Sequence, residues 1–177
     1  MTYARSLLIA LLVCLGLGVA ALAQTKNPAP LVPTGDPAMA AAFERARLGL
    51  DGFLAKLRQP PAGSEGFSIK VGLVDAPGGA VGVVHPGASD RGFVEYFWIG
   101  DLSETASGFE GRIANKPENI RNAVAGARLA FSRADVADWM YFQDGKIVGN
   151  ATACPALAHA SAQEREYMRQ QYGLVCP

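Results

Sequence analysis

The sequence is poor in the side chains that do metal and redox chemistry. It has two histidines, His85 and His159, and three cysteines, none of them in a CxxC pair, so no spacing resembles a zinc site. Charge is scarce and balanced: charged residues are 18% of the chain, and 16 Lys plus Arg face 16 Asp plus Glu. A net charge of zero excludes the electrostatic footprint of a non-specific nucleic-acid binder. Two motifs are also missing. Gly78-Gly79-Ala80-Val81-Gly82 does not match GxGxxG, and Gly87-Ala88-Ser89-Asp90-Arg91-Gly92 misses GxSxG by spacing, so neither a phosphate cradle nor a nucleophile elbow is read here. No metal, nucleotide or redox cofactor is implied. What is plentiful is apolar: hydrophobic residues are 50% of 177 positions, enough for one packed domain and too short for two.

Part of that hydrophobicity lies at the start. After Arg5, the stretch Leu7 to Ala23 has no ionisable side chain except Cys14, and it ends in Ala21-Leu22-Ala23. Small residues three and one positions before Gln24 predict a secretory signal over residues 1–23, cleaved before Gln24. About 20 apolar residues also satisfy the length of a membrane helix, so an uncleaved anchor competes with that reading and is the only membrane contact foreseen. Val13, where a small residue would be wanted before Cys14, argues against a lipoprotein. The expected location is periplasmic or secreted. Cleavage leaves Cys154 and Cys176, an even number in a compartment where thiols oxidise, which predicts a disulfide; a free thiol or a metal ligand are the alternatives. Closing that loop is worth about 3 kcal/mol in the chain-entropy picture.

Residues 24–36, with Pro28, Pro30 and Pro33, read as an extended tether, and residues 37–177 as a single domain. Asp36 and Pro37 look like a helix N-cap and first position. Ala42, Phe43, Ala46, Leu50, Phe53, Leu54 and Leu57 then recur at three- and four-residue steps until Gln59-Pro60-Pro61. Phe67 to Val74 alternates at period two, as a half-covered strand does. Asp75 to Gly92 reads as a long loop or loose hairpin. Phe93 to Ile99 is an aromatic-rich strand broken by Gly100-Asp101, Phe109 to Ala114 a shorter one, and Asn115 the cap of a short helix ending at Gly126. Arg128 to Phe131 returns to strand. Trp139 to Phe142 joins Lys146 to Val148 through Asp144-Gly145, the strongest hairpin signal in the chain. Ser161 and Glu164 form a capping box for a last helix, closed by Gly173. The disulfide would tie that helix's far end back to the strand before it. The expected architecture is α+β: a curved, mostly antiparallel sheet that could close toward a barrel, with a long N-terminal helix and a C-terminal helix.

Four runs, Phe97-Trp98-Ile99-Gly100-Asp101, Phe109 to Glu118, Asp135 to Tyr141 and Gly145 to Thr152, resemble the YegJ-like family of bacterial proteins of unknown function. The Asn-x-Pro and Asp-Trp-Met-Tyr elements are the specific part, and the likeness spans nearly the whole domain. It implies an α+β fold and no mechanism. Since similar architecture occurs among immunity proteins that block toxins, the resemblance also implies a toxin-immunity-like protein as an alternative.

Asp101, Glu104, Glu110, Asp135 and Asp138 are the carboxylates for acid–base work, and a pair at roughly 5–9 Å across a cleft could serve a small envelope hydrolase. Turn capping is the ordinary use of such residues. Trp98 and Trp139 carry much surface and serve as core or as a contact patch near Asn150 and Thr152. No catalytic constellation is complete. The sequence therefore points to a non-enzymatic binding module for a protein or envelope component. Its expected edge is built from Asp101, Asn115, Asp138, Trp139 and Asn150.

Overall fold

The structure is a computed structural model and describes residues 35–88 and 93–176. The expected leader, and all of the expected tether but its last two residues, lie outside the described residues.

Helix α1 (Pro37–Arg58) starts where the Met39 N–H donates to Asp36 Oδ1 at 2.9 Å, with Pro37 in the first turn. Its buried stripe is Ala42, Ala46, Leu50, Phe53 and Leu54, the spacing visible in the sequence. Seven strands follow: β1 (Ser64–Ala76), β2 (Ala80–Val84), β3 (Glu95–Thr105), β4 (Gly108–Ile113), β5 (Arg128–Phe131), β6 (Val136–Gln143) and β7 (Lys146–Gly149). All pairings are antiparallel, in the order β5-β4-β3-β1-β6-β7 with β2 also on β1. The sheet is open, so closure toward a barrel is not realised. Ile69, Val71 and Leu73 on β1 and Phe97 and Ile99 on β3 share one fully buried cluster with Leu50, Phe53 and Leu54 of α1. Fully burying an aliphatic or aromatic side chain of this size contributes about 1.5–3 kcal/mol.

Two local readings change and a third is made specific. Of the long loop or loose hairpin expected over Asp75 to Gly92, a hairpin forms, β2 pairing Gly82 with Val74 across a short turn. Gly100-Asp101 does not end its strand. The β3–β4 register slips between Gly100 and Ser103, and Asp101 takes φ 49°, so a bulge absorbs the irregularity and β3 continues to Thr105. No helix forms between Asn115 and Gly126; the segment is turns. The Asn115 side chain accepts from the Trp98 N–H at 2.8 Å instead of capping its own helix. Two strand carboxylates take the loop's N–H groups: Glu95 from Glu118, Asn119 and Ile120, and Asp75 from Arg121 and Asn122. Partners from the sheet replace the bonds a helix would have made.

The hairpin is as expected, with Asp144 at φ 50° and Gly145 at φ 75°, the positive pair a type I′ turn needs. Beyond β7 come α2 (Ala153–Ala158) and α3 (Ala162–Tyr172). Ser161 accepts from the Glu164 N–H at 3.1 Å, and Gly173 closes α3 at φ 66°. Cys154 and Cys176 are disulfide-bonded with Cα atoms 5.3 Å apart. Cys154 belongs to α2, so the bond clamps one helix to the end of another and not to a strand.

Candidate functional site

Period-two alternation puts the residues between the core positions on the other face of the sheet. Lys70 on β1 pairs with Trp98 on β3 and with Asp138 on β6, so the three form one row across three strands. Lys70 Nζ lies 4.4 Å from the centre of the Trp98 ring and donates to Thr152 Oγ1 at 2.5 Å. Thr152 Oγ1 donates to Asp138 Oδ2 at 2.6 Å, and the Thr152 N–H reaches the same oxygen at 2.7 Å. The other Asp138 oxygen accepts from the Trp139 N–H at 2.8 Å. Asp138 is fully buried and Thr152 nearly so. A buried carboxylate is tolerable only when paired and hydrogen-bonded, and here Thr152 relays the pairing from Lys70 to Asp138.

Burial pushes the Lys70 amine down to about 8, against the opposing pull of Asp138. Below that pH the amine is charged in folded and unfolded chains alike, and the cost of burying the charge is present in full. Between about 8 and the ordinary 10.5 the folded protein has released a proton that the unfolded chain still holds, so stability rises with pH. Lys70→Met should remove that rise. In urea titrations the stability of the wild type relative to the variant should climb by about 1–3 kcal/mol across the window, whereas a flat difference would refute the assignment.

Trp139 faces the opposite way from Asp138. Its Nε1 donates to the Ala46 carbonyl of α1 at 2.8 Å and its ring stacks on Phe53 at 5.3 Å. Two glycines make the space. A Cβ on Gly49 would fall 2.6 Å from the indole, and one on Gly149 would fall 2.4 Å from the Trp139 carbonyl and 2.6 Å from the ring. Gly149 also sits at φ 88°. Gly149→Ala is expected to cost about 2–4 kcal/mol, measured as a lowered melting temperature; a change under 1 kcal/mol would contradict this packing.

The five residues expected to form one recognition edge are therefore placed differently from one another. Asp138 and Asn150 are buried, and Trp139 is partly covered by α1. Asn150 adopts φ 58°, its N–H donates to the Trp139 carbonyl at 2.9 Å, and its side-chain Oδ1 is buried without a hydrogen bond among the described residues. Asp101 is on the β3 bulge, exposed, with Arg112 at 3.9 Å, and Asn115 is spent on the Trp98 backbone. Asp138, Trp139 and Asn150 come together, but as interior groups.

The acid–base candidates are likewise engaged. Glu104 is paired with Arg58, Glu110 with Arg128, and Asp135 with the backbone and hydroxyl of Ser132 and with His85. Asp101 stands two strands across and three residues along from Asp138. At about 4.8 Å per strand and 3.3 Å per residue that is roughly 14 Å between backbones, beyond the roughly 5–9.5 Å of a glycosidase pair.

An open groove lies among the helices. Ala38, Ala41 and Arg45 on the solvent side of α1, together with α2, α3 and the C-terminal tail, line a volume of about 650 Å³, within the roughly 300–1,000 Å³ range of small-molecule sites. Its walls are aliphatic residues such as Leu157 and Leu174 together with the disulfide. Three arginines, Arg45, Arg165 and Arg169, are its charged lining, and no acidic residue lines it. The sequence carried one faint sign of this rim, the spacing of Arg165 and Arg169 one turn apart on a helix face. Lys70 gave no sign, because its partner is chosen by strand register and not by neighbours in the chain. Among the described residues no group of His, Cys, Asp and Glu could hold a metal ion, and no helix is long and apolar enough to cross a membrane.

No solved structure matches the chain. Among curated proteins it is similar to the uncharacterized protein YegJ of Escherichia coli (strain K12), 27% identical over 132 residues, which are 75% of each chain. The Asn-x-Pro turn that grips β3 and the Asp138 and Trp139 pair, one facing Thr152 and the other α1, fall within a stretch from residue 36 to 175 matched by a single family. On that match the chain belongs to the family described as "Uncharacterized protein conserved in bacteria (DUF2314)".

Proposed function

We propose that the protein is an exported, non-enzymatic binding module for an envelope component, and that its ligand site is the groove among the helices. The observation that carries this reading is that open groove: ligand-sized, largely apolar and bordered by the disulfide, on a domain whose candidate acid–base groups are each engaged in capping, ion pairing or the Lys70–Thr152–Asp138 relay. A cross-link in the wall of a groove lowers the ordering cost at binding. Export is supported by the small residues Ala21 and Ala23 before Gln24 and by the cross-link, since disulfides persist in oxidising compartments. The edge at Asp101 and Asn115 is then a strand bulge and a backbone clip.

The paired-carboxylate hydrolase is the rival. Mature protein beginning at Gln24, incubated with peptidoglycan and with ester substrates, should give no turnover above buffer. Turnover that disappears in a folded Asp138→Asn variant would overturn the proposal.

A further inference from the structure

Resting on that reading, we propose that the open groove among the helices binds a free fatty acid, its carboxylate on Arg45 and Arg165 and its chain along the wall formed by Leu157 and Leu174. Charge complementarity selects the head group. The lining holds three arginines and no acid. They are not equally available: Arg169 is paired with Glu166, and Arg165 gives one N–H to the Ala160 carbonyl at 2.5 Å and keeps its others. Arg45 is exposed on α1 and has no ion pair or side-chain hydrogen bond among the described residues. A guanidinium free on an apolar rim matches a carboxylate in bidentate geometry.

The walls select the tail. Leu174 is buried at the floor, whereas Val175 at the mouth is 73% exposed, an apolar surface with water on it. A single acyl chain covers that surface and leaves its head at the rim. The protein's own preceding segment fits less well, because residues 24–34 carry Lys26 and no acidic side chain to meet the arginines.

The test is titration calorimetry on the oxidised mature protein with saturated fatty acids of increasing length, with the alcohols of the same lengths, and with anionic vesicles free of fatty acid. Fatty acids should bind, tightening by up to about fourfold per added methylene until the groove is filled. Each alcohol should bind at least tenfold more weakly than its acid. Arg45→Met should weaken the acid by about tenfold while leaving the alcohol within twofold, and Arg45→Lys should recover part of the loss. Leu157→Glu should abolish binding of both. Because Arg45 is exposed, its variants should melt with the wild type, so lost affinity is not lost fold.

Equal binding of acid and alcohol would overturn the proposal. So would binding that is seen only with vesicles, or only after deletion of residues 24–34. Absence of all binding by a protein that is exported, oxidised and inert toward substrates would remove the fatty acid alone. The binding-module reading falls instead to turnover.

Discussion

Asp138→Ala should lower the stability of the domain by about 3–5 kcal/mol. The substitution leaves the Lys70 amine facing no counter-charge and strips both the Thr152 N–H and its hydroxyl of their acceptor in a place that water barely reaches. Removing one partner of a buried network costs more than the network contributes, because the remaining groups stay desolvated. On a domain of this size the melting temperature should drop by about 10 °C or more. Lys70→Met in the same background should recover part of the loss, since the orphaned charge is then absent, and a double-mutant cycle should return a coupling above about 1 kcal/mol. A loss under 1 kcal/mol from Asp138→Ala alone would mean that the relay through Thr152 does not hold the sheet to the segment before α2.

Opening the disulfide has the second large effect. Replacing Cys154 and Cys176 together by serine should cost about 2–5 kcal/mol, and dithiothreitol should bring the wild type to the same melting temperature while leaving the double variant unmoved. The bond joins α2 to the tail after Gly173, and between the helical tail and the sheet the described residues show Lys146 Nζ on the Gln170 and Gln171 carbonyls and the tilted Phe142–Tyr172 ring pair. Reduction should therefore loosen α3 before it unfolds the sheet, and binding of the proposed fatty acid should fall first. Equal stability of oxidised and reduced protein would contradict this.

How much of this was legible in the sequence depends on the range of the interactions. α1 was readable from one apolar stripe and a cap, and the β6–β7 hairpin from Asp144-Gly145, because both are decided within a few residues. The turn segment after β4 was misread as a helix. Its cap residue, Asn115, and its N–H groups found partners on β1 and β3, and those carboxylates, Asp75 and Glu95, lie 20 or more residues earlier. The hairpin after β1 was legible only as one alternative to a loop, since β2 lies among glycines and a proline and its pairing is supplied by β1. The same limit applies to the site. Asp138 and Trp139 stood out by type and, as strand neighbours, face opposite sides, but only the register of β6 against β1 shows which partners each meets, Lys70 and Thr152 for one and a gap left by Gly49 and Gly149 for the other. The arginine rim joins α1 to α3 across more than 100 residues of chain, and no local pattern brings those together.

The proposal that this is an exported module with an oxidised clamp is tested most directly by the intact mass of native protein taken from the periplasmic fraction of a bacterium expressing the full chain. The expected polypeptide begins at Gln24 and weighs two hydrogens less than its reduced form. A polypeptide that still begins at Met1, recovered from the cytosol with both Cys154 and Cys176 free, would contradict it.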